Sequence, residues 1–385
     1  MAAGEQSPEM VVFSHLRWTF VWQRPQHLIS RLARRQRTWF VEEPLPCDVP
    51  APRLGHEPHG DVTRVWLEVP ADDGRVHGHL HFDYPGYAEK LGELLGEHDD
   101  RTSWLYTPMA LPMSRALSPS TLVYDVMDDL ASFRGAPAAL ALRHRQALRE
   151  ADVVFAGGRS LHQGVLQHRG QGSHLFASGV EPEHFAPARR LRSERHAAEH
   201  TARRPVAGYI GVIDERVDLD LVAELAAALP DWDVHMVGPV VKIDVSTLPQ
   251  APNLHYPGPV PYRDLPATLA GFDVALMPFA LNEATHSISP TKTLEYLAAG
   301  LPVISTRVPD VVADHGSVVE LEDDGASFAA ACRRARRRSP SSKEGAVRSV
   351  LLRHHWDTIA ERMVDLIDRA AFGVPAGAGS REVTA

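Results

Sequence analysis

The residue that says most about chemistry in this chain is Lys292. It lies in the segment SPTKTLEYLAAGLPVIS, residues 289–305, which carries helix punctuation at both ends. Ser289 is a side-chain type that caps helix N-termini, and Pro290 suits the first helical position. Gly300 can end the helix in the left-handed conformation, with Pro302 just beyond. Lys292 therefore falls in the first turn. That end of a helix already carries partial positive charge, and an unanswered cation there costs roughly 0.3–1 kcal/mol. A bound phosphate reverses the sign, because backbone N–H groups and the ammonium then face one anion. Glu295 follows three residues later on the same helix face, where a carboxylate can accept hydrogen bonds from ribose hydroxyls. Ser289, Pro290, Thr291, Lys292 and Glu295 together predict a grip for a diphosphate and a ribose, as a nucleotide sugar requires. The competing reading is a solvated Lys292–Glu295 pair on an ordinary helix. The Ser-x-x-Lys spacing of penicillin-binding enzymes is set aside because their companion motifs and an export signal are missing.

Other candidates cluster in three places. The run GVIDER, residues 211–216, offers Gly211 for close backbone approach and Arg216 for phosphate oxygens. The run LVYDVMDD ends in Asp128 and Asp129, at the rim where a strand stops. A base there can take the proton of an acceptor hydroxyl. Asp125 competes for that role; Asp128 is assigned as base and Asp129 as its support. A helix cap or a solvated turn explains the same acids without catalysis. His15, Arg17, Trp18, Gln23 and Arg24 fill the first turn after the first strand with hydrogen-bonding and stacking side chains, and are expected to face an acceptor. That turn lacks the GxGxxG dinucleotide fingerprint. Two Asp-x-Asp pairs, Asp218–Asp220 and Asp231–Asp233, are read as helix or turn caps rather than metal ligands. No metal site is expected, and the scattered histidines show no HExxH spacing.

These residues need a scaffold, and the hydrophobic pattern supplies one. Strands are expected at Val11–Phe13, Trp39–Val41, Val65–Val69, Ser103–Tyr106, Leu122–Asp125 and Val153–Ala156. Helices are expected at Pro25–Arg35, Tyr87–Glu97, Pro137–Glu150 and Ser160–Gln167. Alternation of this kind predicts a parallel sheet covered by helices. Residues 186–205 carry many charges and almost no large apolar side chains, and are read as a linker. Alternation then restarts at Val206–Ile210 and runs to Val303–Ser305, and a helix near His355–Arg369 closes the chain. The expected domains are 1–185, the linker 186–205, and 206–372, followed by a disordered tail, 373–385. The fold class is α/β, two Rossmann-like domains facing a cleft.

Bulk properties narrow the function. The net charge of −9 argues against a nucleic-acid partner, which calls for a basic excess. Two distant cysteines, Cys47 and Cys332, give neither a disulfide framework nor metal spacing and fit a reducing cytoplasm. No apolar run approaches the ~20 residues of a membrane span. The basic run Arg333–Arg338 reads as a solvated face that allows peripheral contact with a membrane's inner surface.

The run SPTKTLEYLAAGLPVIST resembles the donor-binding signature of GT-B glycosyltransferases of the group 1, family 4-like type. Upstream, GYIGVIDERVDLDLVAELA and NLHYPGPVPYRDLPATLAGFDVALMPF resemble the rest of their donor domain. FSHLRWTFVWQRPQHLISRLA and YDVMDDLASF are most similar to a branch with teichuronic-acid-type and other cell-surface polysaccharide transferases. The resemblance covers roughly residues 10–370. It implies sugar transfer from a nucleoside-diphosphate sugar, as co-substrate and without a cofactor, to a glycan or lipid-linked acceptor hydroxyl in bacterial polysaccharide or glycoconjugate synthesis. Alternatives are a nucleotide-sugar epimerase of the same fold and a non-catalytic GT-B partner subunit. In one respect the chain departs from the family. Many relatives carry a second glutamate eight positions before the one matched by Glu295, where this chain has Ser287; Asn282 and Glu283 are nearby but off register.

Overall fold

The computed structural model of the chain describes residues 7–75, 81–132, 136–170, 172–198, 203–286, 288, 291–337 and 343–371. Two compact units emerge, one of residues 1–177 with 357–385, the other of residues 178–356. Each encloses its own apolar core.

The N-terminal unit is built on a nine-stranded sheet. Its strands are β1 (Glu9–Ser14), β2 (Arg37–Glu42), β3 (Leu45–Cys47), β4 (Arg53–His59), β5 (Val62–Pro70), β6 (Arg101–Leu105), β7 (Thr121–Val126), β8 (Val153–Ala156) and β9 (Ser173–Leu175). Eight follow the order β3-β5-β2-β1-β6-β7-β8-β9, and β4 pairs antiparallel with β5. Central strands such as β1 and β8 are buried along their whole length, as expected where helices cover both faces of a parallel sheet. Helices α1 (Arg24–Leu32), α2 (Tyr87–Leu95), α3 (Leu111–Ala116), α4 (Leu140–Glu150) and α5 (Arg159–Arg169) make the crossovers. The six strands expected in this half all form. β4, with sequence RLGHEPH, escaped the hydrophobic pattern because it is a half-exposed edge strand, the position where proline and charge are tolerated.

The second unit holds helices α6 (Pro182–Ala198), α7 (Leu219–Ala228), α8 (Leu265–Ala270), α9 (Glu283–His286), α10 (Lys292–Ala298), α11 (Pro309–His315), α12 (Gly325–Arg337) and α13 (Glu344–Arg353). Their sheet contains β10 (Val206–Ile210), β11 (Asp233–Val237), β12 (Leu254–Gly258), β13 (Val274–Met277), β14 (Val303–Ser305) and β15 (Glu320–Leu321). It is six-stranded in the order β12-β11-β10-β13-β14-β15 and parallel throughout.

The domain boundaries differ from those expected. Residues 186–198 of the expected linker are helical, within α6. Its arginines serve the fold: Arg189 donates to the carbonyls of Leu297 and Ala298, and Arg192 to those of Ala299 and Gly300. They cap the C-terminus of α10, where cations are favoured. Charge without apolar bulk looked like solvated linker because backbone carbonyls as partners are invisible in a sequence. The closing helix α14 (Trp356–Ala371) groups from Asp357 onward with the N-terminal unit. There Asp357 pairs with Arg31, and Arg362 lies 5.3 Å over the Phe176 ring. The tail 373–385 lies outside the described residues.

Candidate functional site

Strand order in the C-terminal unit reverses between β10 and β13. Loops leaving these strands part to opposite sides, and the crevice outside the strand ends is where open α/β sheets bind ligands. The loop after β10 and the loop after β13 are stitched together at this point. Val217 bridges Phe279, Asp218 N–H donates to Pro278 O (2.9 Å), and Ala280 N–H donates to Arg216 O (2.9 Å).

Gly211 opens the first loop. A Cβ there would lie 2.8 Å from Lys292 Cε, and a Cβ on Gly238, whose φ is +147°, would run into the Gly211 carbonyl. Bare backbone at both positions lets the β10 and β11 ends approach each other, and at Gly211 it leaves room for the lysine stem. Tyr209 holds the turn by donating to Val212 O (2.8 Å).

The second contributor, α10, is fixed at both ends. Tyr296 is buried; its hydroxyl accepts from Ile210 N–H (2.8 Å) and donates to Ile210 O (3.2 Å), locking the helix to the end of β10. At the C-terminus Gly300 takes φ +71°. Leu301 N–H donates to Tyr296 O and Gly300 N–H to Leu297 O, the closed left-handed ending expected of Gly300. Lys292 is the first helical residue, preceded by Thr291 in helical geometry. Thr291 Oγ1 reaches Ser178 Oγ at 3.4 Å. Ser289 and Pro290, expected to start the helix, and Ser287 lie outside the described residues.

Glu295 is only 8% exposed. Burial pushes its carboxyl pKa up, and the Lys292 charge pulls it partly back. The two expected partners are therefore electrostatically coupled in a desolvated setting, unlike a solvated surface pair. Arg216 is placed by a residue the sequence reading passed over: Asp214, itself buried, receives its Nε (3.0 Å) and Nη2 (2.7 Å). Asn282 caps α9 through its contacts with Thr285 and donates to Glu215 O at 3.1 Å; Glu283 is exposed.

The N-terminal sheet reverses between β1 and β6, which puts the loop 15–23 at the equivalent place. Much of the expected acceptor set there turns inward. Arg24 is buried, with Nε and Nη2 each 3.0 Å from Asp125 and Nη1 donating to Phe176 O at 2.7 Å. Arg17 donates to Glu42 (3.1 Å) and to the carbonyls of Glu43 and Pro44. Trp18 is buried against Phe40, ring centres 4.9 Å apart. Arginine and tryptophan on this loop are expected to contact a ligand; in the structure fully buried Glu42 and Asp125 pair with the arginines. Gln26, not singled out from sequence, holds the loop, its Nε2 donating to the carbonyls of Arg17 and Trp18. His15 and Gln23 stay half-buried. The large apolar side chains that the loop exposes are Phe20 (51%) and Trp22 (36%).

The same ion pair takes Asp125 out of the contest for base. Asp128 is half-buried and Asp129 exposed in the turn after β7. Beside Asp129 sit two groups the sequence did not flag, Tyr124 and His144, joined at 2.8 Å. Burial and His168 hold the His144 pKa down, against the pull of Asp129.

Asp218 caps α7 through Leu221 N–H (2.9 Å), as expected. Asp233 is no cap: it pairs with Arg204 at 2.8 Å, and Asp231 lies 3.8 Å from Arg333. Among the described residues no cluster of three or more His, Cys, Asp or Glu is placed to hold a metal. No helix among them is long and apolar enough to cross a membrane.

Comparison with known proteins agrees with this geometry. Residues 204–337 match the family model described as "Glycosyl transferases group 1". The protein named "Putative teichuronic acid biosynthesis glycosyltransferase TuaH" of Bacillus subtilis (strain 168) is 29% identical over 250 residues, 58% of this chain and 61% of that protein. The chain thus spans about three fifths of that relative's length. A GDP-mannose-dependent alpha-(1-6)-phosphatidylinositol monomannoside mannosyltransferase of Mycolicibacterium smegmatis is 27% identical, over 62% of this chain and 68% of its own. Sucrose-phosphate synthase from Thermosynechococcus elongatus superposes with a TM-score of 0.66 at 14% identity, covering 96% of this chain and all of that one. HepE from Anabaena, in complex with UDP and glucose, gives 0.64 at 14% identity over 94% of this chain and 100% of its own. At such identities the structural likeness carries the fold. Residues 204–337, from β10 to α12, thus match the group 1 glycosyl transferase family, and the chain as a whole shares the fold of these solved structures.

Proposed function

We propose that the protein transfers a sugar from a nucleoside-diphosphate sugar to an acceptor hydroxyl in bacterial polysaccharide or glycoconjugate synthesis. The observation that carries this reading is the convergence of Gly211 and Lys292, with Arg216 on the same loop and Glu295 on the same helix, at the β10/β13 strand reversal. Lys292 takes the diphosphate oxygens, beside an Arg216 whose fork is held by Asp214, and the bare backbone at Gly211 admits the phosphates closely. Charge that develops on the departing diphosphate is then met by preorganised cations, usually the largest catalytic contribution, with no metal required. Glu295 accepts from the ribose hydroxyls. Ser289, Pro290 and Thr291 complete the donor set by resemblance. The relative named as GDP-mannose-dependent and the HepE complex with UDP and glucose support a nucleotide-sugar donor. The TuaH name supports a polysaccharide setting.

On the acceptor side, Asp128 is assigned as general base with Asp129 in support. Phe20, Trp22, His15 and Gln23 are the residues of the first loop left to meet a glycan or lipid-linked acceptor, since Arg17, Trp18 and Arg24 are committed inward. A thermal-shift panel of UDP-, GDP- and dTDP-sugars tests the reading, because a ligand that binds only the folded state raises stability by RT ln(1 + [L]/Kd). One of them should raise the melting point of wild type and not of Lys292→Ala. Absence of a shift from every nucleotide overturns the donor site. Conversion of donor alone, with no acceptor added, identifies an epimerase instead.

A further inference from the structure

The C-terminal unit holds a cavity of about 530 Å³, within the range of small-molecule sites. Its walls include Leu301 and Pro302, just before β14, and Asp273, just before β13. It therefore lies at the amino ends of the strands, opposite the ends that bear Gly211 and the Lys292 helix. Leu297, Leu301, Ile304, Val318 and Val347 give it an apolar lining.

Its polar wall is cationic. Arg189, Arg192, Arg336 and Lys343 line it, against Asp273, Glu320 and Glu344. Two of these three carboxylates are already engaged by arginines outside the lining. Arg203 holds Asp273 at 2.7 and 2.8 Å, and Arg334 holds Glu320 at 3.2 Å. Burial, with a smaller contribution from neighbouring Arg189, pushes the Arg192 pKa down to about 10. Capping of α10 accounts for Arg189 and Arg192. It does not account for Arg336 near the end of α12 and Lys343 just before α13, which bring two more cations to the same opening.

We propose that this cavity is a second ligand site, for a small amphipathic anion whose apolar body lies on Leu297, Leu301 and Val318 and whose phosphate or carboxylate head meets Arg336 and Lys343. Guanidinium suits a phosphate head because its planar fork matches the oxygens, and lysine adds a flexible point charge. Arg189 and Arg192 stand behind, each with more N–H donors than the two it gives to α10. The ligand would rest against Leu297 and Gly300, at the far end of the helix that starts with Lys292.

Calorimetry on the full chain with octyl phosphate, kept below its micelle concentration, tests this. Inorganic phosphate, octanol and octyltrimethylammonium are the parallel arms. Saturable one-to-one binding of octyl phosphate is expected, at least about tenfold tighter than any of the other three. The double variant Arg336→Glu/Lys343→Glu should weaken it at least about tenfold with an unchanged melting temperature, tenfold being 1.4 kcal/mol. Should that variant fail to fold, Val347→Trp, which adds bulk to the cavity lining from a partly buried position, must abolish binding. No saturable binding, equal affinity for inorganic phosphate, octanol or the octyl cation, or full binding by a folded variant overturns the proposal. Nucleotide plays no part in the measurement, so failure here leaves the donor reading untouched.

Discussion

Each unit reverses its strand order once, and the loops at the two reversals are made differently. In the C-terminal unit the β10 loop is stripped back to backbone: Gly211 and Gly238 meet with no room for a Cβ, and the Lys292 stem lies against Gly211. In the N-terminal unit the β1 loop is filled in. Arg24 is spent on Asp125, Arg17 on Glu42, and Trp18 on Phe40. Both loops offered cations in the sequence. Only one sets a cation beside bare backbone. A buried arginine already forked onto a carboxylate has its charge answered, and removing either partner strands the other in low dielectric. Richness in hydrogen-bonding side chains thus marks a loop that needs internal glue as readily as one that binds a ligand.

If the N-terminal unit contributes chemistry and not only scaffold, Asp128→Asn shows the largest effect. kcat in a transfer assay should fall about 10²–10⁴-fold, with nucleotide affinity unchanged, because the carboxylate acts as the acceptor proton leaves. Near-wild-type kcat in a folded variant returns that unit to scaffold alone. Arg24→Ala addresses the glue directly. Leaving Asp125 buried without its partner should cost about 3–5 kcal/mol in denaturant unfolding; a loss below 1 kcal/mol would free Arg24 for the acceptor role first expected of it.

Lys292→Ala probes the opposite loop and should do the reverse. Stability holds, since alanine is a good helix former, while nucleoside-diphosphate binding weakens by about 2–3 kcal/mol in calorimetry. An unchanged Kd would erase the distinction between the two loops. Glu295→Gln should weaken nucleotide by roughly 1.5 kcal/mol and leave pyrophosphate nearly unaffected, since its partner is ribose. It also carries a pH signature. Burial raises the folded pKa of Glu295 above the unfolded one. Its contribution to stability is therefore fully present below the unfolded pKa and lost as pH rises through the folded pKa. The glutamine variant lacks that loss, so its melting temperature should gain on wild type from acid to neutral pH. A constant gap across that range would show that Glu295 is not desolvated. The smallest effect is expected from excess EDTA, which should leave turnover unchanged; loss restored by magnesium or manganese would put a metal where Lys292 and Arg216 are assigned.

Apolar runs in the sequence were enough for the inner strands and most crossovers of the N-terminal half, because a strand covered on both faces must read as a continuous apolar run. VVF, VVFA, VAGYI and VALM are such runs. β3, β4, β9, β12 and β15 were missed; all lie at sheet edges, where a strand is not so constrained. Lys292 and Glu295 were legible for a local reason: helix punctuation around them, Gly300 above all, fixed where they stand on one short helix. Partners far apart in the chain were not legible. Nothing near Arg24 announces Asp125, about a hundred positions on, and nothing near Arg189 announces the carbonyl ends of α10. Local order follows from backbone geometry and spacing, which a sequence displays. Whether a charged side chain faces a ligand or is consumed by the fold depends on which carboxylate or carbonyl the topology carries to it, and that only the tertiary structure decided.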